Sequence, residues 1–293
     1  MKRIVVLWAL AFGFLPLARA QINGVTAELS LAQNQLLADE DMDLKVHIEN
    51  RSGQELHLGQ DANWISFSVT GENSAVIGQL GETSVAHEFT LRPAESANCS
   101  FNLTPYFNFR APGHYTVAAT IKIPQWNQEC VCKPATFTII NGTRLAKLPD
   151  LQFGVPPLPG ASNSAPEVRR YFLERVDGES GMKLYFQLTD ETGARTLKVF
   201  PMGRMISLSD PEVRIDSFSN LHVLNQTGAR AFSYYVINPD GQMIYRQTYE
   251  YTGTRPKLTN GVEGRVVVVG GVRRVAETDI PPGVQRPGAA PAP

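Results

Sequence analysis

Cysteine is scarce: Cys99, Cys130 and Cys132 are the three in a chain of 293 residues. So few rule out a disulfide-built mini-scaffold and a four-thiolate metal site. Histidine is thin too. His47, His57, His87, His114 and His222 are scattered, and no two stand at a metal-ligand spacing, which removes H-E-x-x-H chemistry. No G-x-S-x-G elbow, P-loop or dinucleotide glycine pattern occurs. An excess of one charge is also missing. The 27 basic and 28 acidic side chains nearly cancel, so no strong field points to nucleic acid or to an anionic membrane surface. Beyond residue 17 no apolar run reaches the roughly 20 residues of a bilayer-spanning helix. No motif asks for a cofactor or a metal.

What is present is turn chemistry and alternation. Hydrophobic residues make up 43% of the chain, with 24 glycines and 20 prolines. That is globular composition with many turns, and the length suits about two domains. Residues 1–20 read as a secretory leader: Lys2 and Arg3, an apolar run from Ile4 to Leu17, then Ala18-Arg19-Ala20 as a small-x-small cleavage pattern. A retained anchor is the rival reading. Cleavage before Gln21 predicts a periplasmic or secreted protein with no transmembrane segment left. In that oxidising compartment one structural disulfide from Cys99 to Cys130 or Cys132 is expected, with thiols, metal or redox chemistry as the alternatives.

The stretch from Leu91 to Ile140 organises the first half. Tyr115, Val117, Ala119 and Ile121 recur every second residue, the period of a half-buried strand, and Pro112-Gly113 turns the chain just before them. Earlier strands read over Val25–Leu31, Leu44–Ile48, Leu56–Leu58 and Trp64–Val69, and a last one over Ala135–Ile140. Trp64 is assigned to the core. The acidic run Asp39-Glu-Asp-Met-Asp43 has the alternation of a calcium loop but no glycine or downstream glutamate to complete one, and reads as a solvated turn. Seven or eight short strands over about 120 residues are what a two-sheet sandwich requires. Five N-x-S/T sites, at Asn50, Asn98, Asn102, Asn141 and Asn225, are expected to be unmodified.

Three motifs here carry a resemblance. The Asn50-Arg-Ser-Gly53 turn, Leu91-Arg-Pro93 with Glu95, and Pro112-Gly113-His-Tyr115-Thr-Val117 are similar to exported bacterial immunoglobulin-like modules and, more distantly, to the BsuPI proteinase-inhibitor domain. The resemblance spans about residues 22–141. It implies an immunoglobulin-like sandwich in which the Tyr115 hydroxyl bonds back to upstream backbone as a tyrosine corner. No inhibitory loop carries over.

Residues 146–166, with five prolines between Leu148 and Pro166, read as a semi-stiff linker whose first half, Leu151, Phe153 and Val155, alternates enough to lie along a domain. Residues 167–275 are again strand-rich, with hairpin turns at Asp177-Gly178, Asp190–Gly193, Gln226–Gly228 and Pro239–Gly241. Thr-Gly-Ala-Arg recurs at Thr192 and Thr227. Such units are near the size of propeller blades, but two or three cannot close a propeller. A small antiparallel meander sandwich is the favoured reading, and blades pooled from several chains the alternative. Val266–Val269 is apolar on both faces and reads as a central strand buried on both sides. Residues 276–293 read as a disordered tail.

The fold expectation is therefore all-β: a signal segment (1–20), an immunoglobulin-like sandwich (21–145), a proline-rich linker (146–166), an antiparallel meander domain (167–275) and a tail (276–293). With no reactive constellation, the functional expectation is a non-catalytic exported protein of the cell envelope that binds or scaffolds, its partner a protein or a glycan. A carbohydrate-active hydrolase or its accessory sugar-binding module is the first alternative, a proteinase inhibitor the second. Candidate contact residues are Trp126, Tyr245, Tyr249, Tyr251 and Arg273. Oligomeric state is left open.

Overall fold

The computed structural model describes residues 21–82, 88–149, 151–155, 167–178, 181–207 and 209–280. The leader reading at 1–20 lies outside them, as does most of the expected tail. The described chain is all-β, with three single-turn 3-10 segments.

The first half contains β1 (Gln21–Ile22), β2 (Val25–Leu31), β3 (Gln35–Leu37), β4 (Asp43–Asn50), β5 (Leu56–Leu58), β6 (Ile65–Thr70), β7 (Phe89–Leu91), β8 (Ser96–Asn102), β9 (Gly113–Ile123), β10 (Gln128–Val131) and β11 (Ala135–Ile140). One sheet runs β1-β2-β4-β8. The facing sheet is built on β9: β6 pairs along one edge, β10 and β11 share the other, and β3 joins β11 in parallel. Alternation dictates this layering. Leu44, Val46 and Ile48 of β4 turn inward, as do Tyr115, Val117, Ala119, Ile121 and Ile123 of β9. Each such aliphatic burial contributes about 1.5–3 kcal/mol. Trp64 is buried in this core, edge-on to Phe89 at 5.5 Å. Tyr115 Oη donates to the Ala111 carbonyl at 2.7 Å, four residues upstream, which is the bond the tyrosine-corner reading requires.

No disulfide joins Cys99, Cys130 and Cys132, and the expected bridge is corrected for a geometric reason. Cys99 lies on β8, the far edge of its sheet, opposite Val46 of β4. Cys130 meets the Ala27 backbone of β2, and a bridge between Glu28 and Lys133 keeps that side of the sandwich together. Cys99 is thus two strand spacings from β2, about 10 Å, beyond the roughly 7 Å Cα separation that a disulfide tolerates. Burial pushes all three thiols above their usual range, Cys132 to about 12.

The second half begins earlier than residue 167. β12 (Thr143–Arg144) and β13 (Leu151–Val155) both pair with β14 (Glu167–Gly178). The first half of the proline-rich stretch is therefore structural: Leu151 and Phe153 are buried, and Phe153 stacks on Tyr171 at 4.2 Å. β14 continues through β15 (Gly181–Asp190) to β16 (Thr196–Arg204) as a meander. A second meander runs β17 (Glu212–Ile215), β18 (Leu221–Gln226), β19 (Ala231–Ile237) and β20 (Met243–Glu250), and β23 (Val272–Arg274) closes its edge. The two sheets share one core of Tyr171, Leu173, Phe186, Leu221, Val223, Tyr235 and Ile237. The two Thr-Gly-Ala-Arg copies occupy matching hairpins, β15 to β16 and β18 to β19.

Between β20 and β23 in sequence, β21 (Lys257–Asn260) and β22 (Val266–Val269) form a separate two-stranded ribbon. The expectation of a doubly buried valine strand is corrected here. Val266 is buried, but Val267 and Val269 are exposed, because the ribbon covers the meander sheet with one face only. The tail reading is also corrected over its described part: Ile280 is buried and exchanges backbone bonds with Arg246.

The halves meet through a small apolar cluster, Leu37 and Ile140 from one and Val176, Tyr185 and Val199 from the other. A cleft of about 280 Å³ opens beside it, between Glu40–Asp43 and Val199–Pro201.

Candidate ligand-binding face

The outer face of the second meander is set by strand parity. His222 and Leu224 of β18, Phe232, Tyr234 and Val236 of β19, and Tyr245, Gln247 and Tyr249 of β20 project to the side away from the shared core. The β21–β22 ribbon covers the Leu224–Phe232 part. Leu258 and Val266 pack there, Leu258 N donates to Glu212 Oε2 at 2.8 Å, and the Arg255 guanidinium lies 5.1 Å from the Phe232 ring centroid. Tyr245 and Tyr249 stay part-exposed beside it.

Tyr234 is the buried centre of this strip. Tyr245 and Tyr249 meet its ring edge-on, at 6.0 and 6.4 Å. Its hydroxyl lies 2.6 Å from His222 Nδ1, and His222 Nε2 lies 3.0 Å from Asp216 Oδ2. Asp216 opens a tight turn in which its carboxylate also accepts from Phe218 N, Asn220 N and Asn220 Nδ2. Burial pushes the Asp216 carboxyl up, but these donors and His222 outweigh it and hold the group below the usual carboxylate range. With Asp216 ionised, the His222 Nε2 proton points at Oδ2, and Nδ1 shares the second hydrogen bond with Tyr234 Oη. Burial raises the Tyr234 phenol, which keeps its proton. The chain Asp216–His222–Tyr234 thus fixes the central ring.

The polar members stand on the next strands. Tyr249 Oη donates to Gln247 Oε1 at 2.8 Å. Burial and the neighbouring Tyr245 raise the Tyr249 phenol. Arg273 is opposite Tyr249 in register and pairs with Asp279 Oδ2 at 2.9 Å. Burial pushes Asp279 up, yet bonds from Arg273, Thr248 Oγ1 and Ala276 N hold it low.

The structure therefore brings Tyr245, Tyr249 and Arg273 together and leaves Tyr251, exposed, just past the end of the same strand. Trp126 belongs to the other sandwich, where its Nε1 donates to Gln54 Oε1 at 3.2 Å and its ring packs on the first core. Phe232, Tyr234 and Val236 alternate in the sequence as one aromatic face, but Asp216, His222 and Gln247 carry no such signal. The hairpin at Gln226–Arg230 would have put His222 and Tyr234 on one face as diagonal neighbours; nothing local marks Asp216. In the acidic run Asp39 pairs with Arg110 and Asp41 with Lys198; elsewhere Glu167 pairs with Arg169 and Asp210 with Lys147. Among the described residues no group of three or more His, Cys, Asp and Glu stands together as metal ligands.

No protein-family model matches the chain, and neither does any curated protein. Among solved structures the chain is similar to Spo0M, a sporulation control protein from Bacillus subtilis, with a TM-score of 0.30 and 12% identity over 62% of this chain and 91% of that one.

Proposed function

We propose that the protein is a non-catalytic binding protein exported to the cell envelope, and that its tyrosine strip takes a glycan. One observation carries the reading: Tyr234, Tyr245 and Tyr249 are grouped on an outer sheet face, with the Gln247 amide and Arg273 beside them. Half-buried Tyr245 and Tyr249, seated on the buried Tyr234, offer apolar ring area for the C–H faces of a sugar and hydroxyls for its polar rim. The leader-like residues 1–20 and the immunoglobulin-like motifs of the first sandwich support export.

Acid–base hydrolysis of a glycoside needs a carboxyl kept protonated next to an ionised one. Asp216 and Asp279, the carboxyls bonded to His222 and Arg273 of the strip, are both held low by donors. Those raised by burial, Glu40, Asp43 and Glu174, stand in the first sandwich or on β14. This favours binding over turnover.

The test is affinity electrophoresis of the protein, expressed from its full sequence, through gels containing envelope polysaccharides. Retardation by a glycan that is lost in the Tyr245→Ala/Tyr249→Ala double variant supports the reading. Absence of retardation across the panel, or release of reducing ends from any glycan, overturns it.

A further inference from the structure

β8 is a seven-residue edge strand, Ser-Ala-Asn-Cys-Ser-Phe-Asn, with no charged residue and no proline. Among the described residues no strand pairs with its outer side. Natural sheet edges are usually blunted by charge, proline or short length, because a long bare edge invites another strand. Four other edges follow that rule: β10 carries Glu129, β16 carries Lys198 and Pro201, β17 carries Glu212 and Arg214, and β23 carries Arg273 and Arg274. β6, Ile-Ser-Phe-Ser-Val-Thr, is as bare in sequence, but its outer side is partly taken: Ile77 N donates to Val69 O at 2.9 Å. β8 departs from it.

Its ladder with β4 shows which groups are offered. Leu103 N donates to Met42 O, and Asn50 N donates to Glu95 O. In that register Ala97, Cys99 and Phe101 spend their backbone groups on β4. Ser96, Asn98, Ser100 and Asn102 therefore turn their N–H and C=O groups to the open side, while their side chains face solvent and those of Ala97, Cys99 and Phe101 face the core.

We propose that two copies of this chain join edge to edge through β8, antiparallel, with the two-fold axis beside Cys99. The strand is self-complementary in that register. Asn98 falls opposite Ser100 of the second copy, and Ser96 opposite Asn102. These are the residues with open backbone groups, so each pairing closes two hydrogen bonds. On the inner face the small Ala97 meets the large Phe101, and Cys99 meets itself. The pairing extends β1-β2-β4-β8 into one continuous two-fold sheet, an isologous contact that closes on itself and does not propagate. With no charged side chain on β8, no like charges meet at the axis. An extended peptide from another protein would use the same bonds but has no reason to match this register. The inference is independent of the glycan reading.

Cys99 supplies the reporter. Opposite a copy of itself it sits in a pair without backbone bonds, where Cα atoms approach to about 4.5 Å, within disulfide range. Adding diamide oxidises two thiols to a disulfide and is itself reduced to the hydrazine, taking up both protons. The expected result is a band of doubled mass without reductant, a Cys99–Cys99 peptide pair by mass spectrometry, and concentration-dependent sedimentation before oxidation. Ser100→Lys sets two like charges near the axis and weakens the pairing by about tenfold or more. Asn98→Pro removes one outward N–H and no bond to β4, and has the same effect. Both variants are checked by circular dichroism, whose β spectrum is unchanged if the monomer is intact; melting temperature is no control, because losing a dimer lowers it by mass action alone. Three results overturn the proposal: a monomer at every concentration, cross-links that avoid Cys99, or a dimer indifferent to both variants. A partner peptide displacing the second copy from β8 also overturns it.

Discussion

Lys198 Nζ lies 2.5 Å from Asp41 Oδ2, joining residues 157 positions apart across the contact between the two sandwiches. Both side chains are about two-fifths exposed, so solvent screens the pair. Beside it, Tyr185 is almost wholly buried against Leu37 and Ile140. The contact is held by packing more than by charge.

Magnitudes separate those two contributions. Lys198→Ala is expected to cost less than about 1 kcal/mol, the range of an exposed pair. Tyr185→Ala should cost about 3–5 kcal/mol, as large aromatic truncations do. Urea unfolding of both variants measures this, and a larger loss from Lys198→Ala would refute the ranking.

Glu40 adds a dependence on pH. Burial pushes its carboxyl up to about 7, against the Leu37 N–H, the Gln33 amide and Lys183, which favour the ion; Asp41 pushes the same way as burial. A carboxyl raised above its unfolded value of 4.5 contributes stability in its protonated form. That contribution is complete below the unfolded value and is lost as pH rises through about 7. The loss is on the order of 3 kcal/mol. Urea midpoints should fall between acidic and neutral pH, and Glu40→Gln should flatten the fall. Parallel curves for wild type and Glu40→Gln would show that another group titrates.

The tyrosine corner offers a smaller, cleaner change. Tyr115→Phe removes the donor to the Ala111 carbonyl and leaves the ring stacked on Phe137 at 5.3 Å. The expected cost is about 1 kcal/mol, the net worth of one hydrogen bond. Denaturant titration with an unchanged slope reads it; a neutral variant would mean that water serves Ala111 equally well.

In the relay under the tyrosine strip, His222→Leu strands the Tyr234 hydroxyl and takes from Asp216 Oδ2 one of its two donors, leaving Asn220 Nδ2. A loss of about 2–4 kcal/mol is expected, since a buried hydroxyl is left unsatisfied and the carboxylate loses a donor. Adding Tyr234→Phe removes that orphan, so the double variant should be more stable than the sum of the singles. Additive losses would mean that the His222–Tyr234 bond carries no coupling.

Period-two alternation was enough to place the strands of the first sandwich, and turn residues placed the hairpins of the second. Leu44, Val46 and Ile48 could point inward only as a strand, and Pro112-Gly113 before Tyr115 left its hydroxyl a fixed target. What failed was anything that depends on what lies across a face. Four valines in a row are equally compatible with a doubly buried strand and with a ribbon of high β propensity, and only the neighbour on Val267 distinguishes them. Prolines drew attention from Leu151 and Phe153, whose alternation was the better signal. Three cysteines name no pairing until strand order is known. Asp216 reached the relay through a turn, which no periodicity records.

Between the end of β11 at Ile140 and the start of β12 at Thr143 stand only Asn141 and Gly142. A Cβ at Gly142 would collide with the Glu174 side chain. A tether this brief has no slack to reel out. Force that reaches β12 would pass straight into the first sandwich through these two residues, so the joint hands strain on instead of absorbing it.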